Sequence, residues 1–199
     1  VNSPEFDANR RSSDLDFGTV LVSNLHFNRN EDVSCELLKK GASPTEGFLD
    51  GENAFHLAAQ HHAFKVLEVL LDKYPNLIDT QNANGETPLM IAIRASHGGN
   101  SLAAVKLFID AGASMTAGMR DGDTLLHYAA RENLEVARYL IEEKGMDRFV
   151  VNARGETPLH KLALGWTRGA GMDAFMDVLC QGATPAFINA QDHEGKTAL

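Results

Sequence analysis

Three histidines, His56, His127 and His160, are the residues most readily cast as general bases or metal ligands. They occupy one position of a recurring string, and that recurrence argues for structure, since an active site is assembled once. His61 and His62 form the one adjacent histidine pair, but no third ligand at suitable spacing accompanies them, and zinc needs three or four. Cys35 and Cys180 stand 145 residues apart, without a C-x-x-C pair and without a neighbouring histidine to make a thiolate nucleophile. The glycines flanking Trp166 suggest a phosphate loop, yet the string G-x-x-x-x-G-K-[ST] is absent. The carboxylates are dispersed, with no paired geometry for acid–base work. The chemistry that remains is recognition, which needs no metal and no cofactor.

A 199-residue chain that is 44% hydrophobic and 23% charged can bury a core. No apolar run approaches the ~18 residues of a membrane span, and the polar start carries no secretory signal. The net charge of -9 and the lack of any Lys/Arg cluster disfavour nucleic acid, whose binding rests on neutralised phosphates. They disfavour acidic membrane surfaces for the same reason. A protein or peptide partner of basic or amphipathic character fits this charge better. Two unpaired cysteines indicate a reducing compartment: cytoplasm, nucleus, or the host cytosol were the parent a secreted bacterial effector.

The elements that carry these residues repeat. Gly51 to Ala59 (GENAFHLAA), Gly85 to Ile93 (GETPLMIAI), Gly122 to Ala130 (GDTLLHYAA) and Gly155 to Ala163 (GETPLHKLA) are copies of one string, and Gly195 to Leu199 (GKTAL) begins a fifth. The leading glycines stand 34, 37, 33 and 40 residues apart. Thr87 and Thr157 are placed to cap a helix, with Pro88 and Pro158 at its first position, where the missing N–H is harmless. Each unit continues into an amphipathic segment such as Val66 to Leu71 or Val136 to Ile141, and Gly112 and Gly182 stand where that second helix must stop. Asn, Asp and Gly between units supply tight turns. One such helix pair cannot bury its own apolar face; a stack of pairs can.

These strings resemble the ankyrin repeat, with its G-x-T-P-L-H-x-A-A and L-L-x-x-G-A signatures at a period of about 33 residues. The resemblance implies an all-α solenoid of stacked helix-turn-helix units joined by β-hairpin loops. It divides the chain into a remnant and disordered leader (1–13, Val1 to Phe6 reading as a cloning scar), a divergent N-terminal capping repeat (14–49), four repeats (50–83, 84–120, 121–153 and 154–193, the last with an insertion) and the start of a truncated repeat (194–199). Residues 15–25 should form the capping repeat's first helix. The motif histidine is expected to bond backbone between repeats. Asn53-Ala54 in place of the Thr-Pro pair, and Met90 in place of histidine, should cost their units some of the family's local bonding.

The resemblance also implies a partner-binding groove lined by hairpin tips and first helices. In this sequence it assigns to the groove Gln60, His61, Tyr128, Arg131, Glu132 and Lys161, together with Leu57, Ile91, Arg94 and Ala95. Met119, Arg120, Arg154, Asn84, Asp121 and His193 are the tip candidates. Because binding energy concentrates in Tyr, Trp and Arg, the hot spot is expected at Tyr128 and Arg131, flanked by Arg120 and Arg154. Trp166 is either a second contact or a plug that holds its insertion down. The function expected is a non-catalytic protein–protein interaction module, monomeric as a fragment. The alternative is a regulatory or substrate-recruiting domain of a larger enzyme, channel or effector.

Overall fold

The structure is a computed structural model and describes residues 20–95, 100–116, 121–165 and 172–198. Helix α1 (Val20–Ser23) runs into one wide π turn (Asn24–Asn28) ahead of α2 (Glu31–Lys39). Four helix pairs follow: α3 (Ala54–Gln60) with α4 (Phe64–Lys73), α5 (Pro88–Arg94) with α6 (Ser101–Asp110), α7 (Leu125–Glu132) with α8 (Leu134–Glu142), and α9 (Pro158–Gly165) with α10 (Met172–Cys180). First helices stack in one row, α3 on α5 on α7 on α9; in the second row α2 packs on α4, α6 on α8 and α8 on α10.

Local chemistry starts each helix where the sequence places it. Thr157 Oγ1 accepts from the His160 N–H at 3.4 Å, and Thr87 Oγ1 accepts from the Met90 N–H at the same distance. Asn53 takes over the capping role of threonine, its Oδ1 accepting from both Phe55 N–H (2.9 Å) and His56 N–H (3.3 Å), while its buried Nδ2 has no hydrogen-bond partner. The cap is thus kept at that unit, at the cost of one buried amide left unsatisfied. Second helices use Asn30 and Asn133 as caps. The alanine pairs 58–59 and 129–130 are fully buried, which lets first helices approach closely, while Phe55, Leu67, Leu70, Phe108 and Leu140 fill the continuous core behind them. Burying each such large side chain contributes about 1.5–3 kcal/mol.

The hairpin loops are stacked turns rather than strands. Ala83 N–H donates to Asp50 O (2.6 Å), Ala153 N–H to Asp121 O (3.2 Å) and His193 N–H to Arg154 O (2.9 Å), so each tip is tied to the one before it. Among the described residues the single bridge Gln191–Thr197 is all the β pairing there is. This close approach explains the leading glycines: at Gly122 φ is +70°, and a Cβ there would stand 3.1 Å from the Ala153 nitrogen.

The first described helix begins at Val20, inside the expected span 15–25, of which residues 15–19 lie outside the described residues, as do 1–14. The connections between first and second helix are longest in the second and fourth repeats, from Arg94 to Ser101 and from Gly165 to Met172, and their central residues, 96–99 and 166–171, are likewise outside. Part of the long fourth repeat is a further short helix, α11 (Pro185–Ile188), capped by Thr184, which the sequence reading does not anticipate. Cys35 lies on α2 and Cys180 on α10, and both are free.

Candidate protein-binding face

The recurrent histidines bond between units. Nδ1 accepts from the backbone N–H of Asn53 (3.1 Å), Thr124 (3.2 Å) and Thr157 (3.2 Å) in turn. That leaves the ring proton on Nε2, which donates to the carbonyl of Glu86 (3.2 Å), Glu156 (2.9 Å) and Lys196 (3.2 Å) in the following hairpin. Burial lowers the pKa of His56 and His127 below the ordinary histidine value. At Met90 the thioether sulfur receives the Thr87 N–H at 3.5 Å, so the local contact is kept in weak form while the donor toward the next unit is lost.

Beside this ladder runs a second one made of charge. The acid after three of the hairpin glycines is buried at the base of the turn, as Glu86, Asp123 and Glu156, while Glu52 after Gly51 is half-buried. Each of the three buried acids receives a donor from the next first helix or its own loop. Tyr128 Oη donates to Glu86 Oε1 at 3.2 Å. Lys161 Nζ bridges Asp123 (3.1 Å) and Glu156 (2.8 Å). Asn152 Nδ2 reaches the same two carboxylates at 2.6 and 2.7 Å. Burial alone would raise the Glu156 pKa, but the hydrogen bonds from Lys161 and Asn152, with the charges of Lys161 and Arg154, hold it down at about 2. Desolvation raises the pKa of Tyr128 well above the usual phenol value, helped by the neighbouring Glu86 and Glu132 carboxylates against the opposing Arg94 charge.

This geometry corrects part of the expected groove. The residue after the motif histidine is buried in all four repeats, as Leu57, Ile91, Tyr128 and Lys161, because successive first helices close over it. Tyr128 is 5% exposed and Lys161 is 4% exposed, so neither side chain is presented to a partner; both clamp units together. Ala95 is buried as well. His61 is only partly exposed: its Nε2 is closed off from solvent without a hydrogen-bond partner, and a cavity of about 40 Å³ lies against it, lined also by Leu25, Arg29 and Ser34. Burial, followed by the charges of Arg29, His26 and His62, lowers its pKa to about 4. Met119, Arg120 and Trp166 lie outside the described residues.

The remaining candidates form an outward-facing row. Gln60, Arg94 and Arg131 hold the same position at the ends of α3, α5 and α7 and are exposed; Arg154 projects from the next hairpin, and Asn84, Asp121 and His193 are exposed at the tips. Arg94 pairs with Glu86 (3.2 Å), and Arg131 pairs with the partly exposed Glu132 (3.3 Å). Arg154 Nε pairs with Glu156 (3.1 Å), and its Nη2 with Asp121 (3.2 Å). The buried acids were missed by the sequence reading, although a Glu or Asp directly after four of the five hairpin glycines was there to be noticed. No cluster of three metal-ligating side chains occurs among the described residues, and no helix there is long and apolar enough to cross a membrane.

Comparison with known proteins agrees with this architecture. The family model for ankyrin repeats (3 copies) matches residues 21–117 and 94–192. The nuclear factor NF-kappa-B p105 subunit of Gallus gallus is 34% identical over 166 residues, covering 81% of this chain and 16% of its own length. Inversin of Mus musculus is 34% identical over 169 residues, covering 84% of this chain and 15% of its own length. The crystal structure of the ankyrin repeat domain of Bcl-3, described as a unique member of the IkappaB protein family, superposes with a TM-score of 0.73 at 21% identity, covering 96% of this chain and 80% of that one. The chain thus spans about a sixth of the length of these curated relatives.

Proposed function

Because the chain belongs to the ankyrin-repeat family, whose members generally serve as protein–protein interaction modules, we propose that it binds a partner protein or peptide across the face formed by its hairpin tips and the ends of its first helices. The observation that carries this reading is the row of three arginines, Arg94, Arg131 and Arg154, contributed by three successive units and each about half exposed. Arginine combines a large contact area with several donors and dominates many interface hot spots. Gln60, Glu132, Asp121 and the exposed part of His61 supply the polar rim. Catalysis has no place in this reading, because the histidines that could serve it are spent on backbone bonds between units. The matched stretch is about a sixth of the length of these relatives, which supports a module that recruits a partner or substrate to whatever else a longer protein carries.

A comparative pull-down tests the reading. The wild-type chain, an Arg131→Ala/Arg154→Ala variant and a Glu68→Ala/Asp72→Ala control on the exposed side of α4 are used as baits, with unfolding midpoints measured for all three. A protein retained by wild type and control and lost by the arginine variant supports the face. Equal retention by all three baits rejects it.

A further inference from the structure

The arginine row has a layered charge arrangement that names the chemistry of its ligand. Glu86 and Glu156 lie beneath it with side chains 8% and 10% exposed, whereas the arginines paired with them, Arg94 and Arg154, are 49% and 54% exposed. Neither buried acid depends on its arginine. Glu86 retains the Tyr128 hydroxyl and the Asn82 amide, and Glu156 retains the Lys161 ammonium and the Asn152 amide. The arginines are therefore the exchangeable outer half of each pair, held in position by carboxylates that stay satisfied when a guanidinium turns outward. Arg131 is 57% exposed and touches Glu132 through Nε, which leaves the paired Nη edge of the guanidinium, the edge that grips a carboxylate with two parallel bonds, to a ligand.

Spacing then fixes the form of that ligand. Arg94 and Arg131 hold equivalent positions on α5 and α7, which pack directly on each other. Helices in such contact lie ~8–10 Å apart, and three residues of extended chain in the polyproline II conformation, with three residues per turn, span about 9 Å and bring the side chain back to the same face. We propose that this face binds an extended segment of a partner protein carrying carboxylates three residues apart, the first on Arg94, the second on Arg131 and the third toward Arg154. This inference rests on the binding face proposed above and specifies its ligand. It replaces the basic partner that the net charge of -9 suggests, because charges beyond ~8–10 Å are screened in physiological salt while a carboxylate on a guanidinium meets the outermost layer first. Asp121, 58% exposed and paired with Arg154, is the acid of this row that competes with such a ligand.

Fluorescence anisotropy with three synthetic peptides at low ionic strength tests it: a Gly/Ser peptide with Glu at every third position, one with the same three Glu residues contiguous, and the counterpart with Lys at every third position. The spaced Glu peptide should bind roughly tenfold tighter than the Lys peptide and several-fold tighter than the contiguous one. Arg131→Gln should weaken it roughly tenfold, and Asp121→Asn should strengthen it about two- to threefold. Equal affinity for all three peptides, no binding of any, or indifference to Arg131→Gln overturns the proposal. If the arginine-dependent partner of the pull-down survives that outcome, the binding face stands and only the acidic, extended ligand falls; if both fail, the face itself is wrong.

Discussion

Replacing Lys161 by Met keeps the volume and the aliphatic stem but removes the cation that bridges Asp123 and Glu156. Two carboxylates at the base of adjacent hairpins then face each other with one amide, Asn152 Nδ2, shared between them and with Arg154 at 3.1 Å from Glu156 as the nearest remaining charge. Breaking one side of a buried pair costs about 3–5 kcal/mol. Because Asn152 and Arg154 still compensate part of the charge, the low end of that range is expected, about 3 kcal/mol. For a chain of this size, at about 2–4 °C per kcal/mol, the midpoint should drop by roughly 6–12 °C. The pH dependence identifies the cause. In the wild type Glu156 titrates at about 2, below the unfolded value of 4.5, so its contribution is complete above pH 4.5 and lost as pH falls from 4.5 toward 2. Without Lys161 the folded-state pKa rises, and the variant's deficit relative to wild type should shrink as pH falls through that window. Adding Asp123→Asn should restore part of the loss at neutral pH. Urea unfolding followed by circular dichroism at pH 7.5 and pH 4 reads all of this. A deficit below about 1 kcal/mol at pH 7.5, or one that stays constant with pH, would refute the assignment of Lys161 as an inter-repeat clamp.

Other positions carry separate expectations. Met90→His restores a ring whose Nε2 can donate to the Asp123 carbonyl in the next hairpin, as its three counterparts do, and should raise the unfolding free energy by about 0.5–1.5 kcal/mol; a destabilised variant would show that the loop at Asp123 does not reach it. His62 sits at φ +52°, a left-handed conformation that costs a side-chain-bearing residue ~1–2 kcal/mol, so His62→Gly should leave the helices unchanged by circular dichroism and raise stability by roughly 0.5 kcal/mol after glycine's own entropy is charged against it. His56 and His127 are held below the unfolded value of 6.5, so their contribution is complete above pH 6.5 and lost as pH falls below it. Denaturation midpoints should therefore already decline between pH 6.5 and 5.5, and replacing His127 by Gln should flatten that decline.

The fold was legible because its determinants are short-range and repeated. A Thr-Pro cap, an alanine pair and a glycine at a fixed offset each have one local physical meaning, and four copies make the period visible without any knowledge of packing. Asn53 shows the limit of residue-by-residue matching: it departs from the string but still caps its helix, because an amide oxygen accepts the first-turn N–H groups as a hydroxyl does, even though its own buried amide nitrogen finds no partner. The proposed binding face was only half legible, and the reason is geometric. Which side of a first helix meets solvent depends on how closely the next helix approaches, and that distance is set by alanines elsewhere in the unit. The residue after the motif histidine, read as groove-facing, is swallowed by this approach at Leu57, Ile91, Tyr128 and Lys161 alike, whereas the residue three further on stays outside at Gln60, Arg94 and Arg131.

The same shift separates two roles that one string of polar residues had merged. Tyr128 and Lys161 bring polar groups into the contact between units, where each must be matched by an acid, and the acids are there in the preceding hairpins at Glu86 and Asp123. Once these pairs are closed, Arg94 and Arg131 above them, which pair within their own units, are not needed to join one unit to the next, and their positions are open to selection for binding. A solenoid needs this division if its surface is to vary from one protein to another on a constant frame, since a residue that both clamps repeats and contacts a partner cannot be exchanged for binding without loosening the stack. It follows that Tyr128→Phe should lower stability by about 1 kcal/mol yet leave binding on the outer face unchanged, and that Arg131→Gln should do the reverse. Finding both effects in a single one of these variants would mean that clamp and contact are one structure after all.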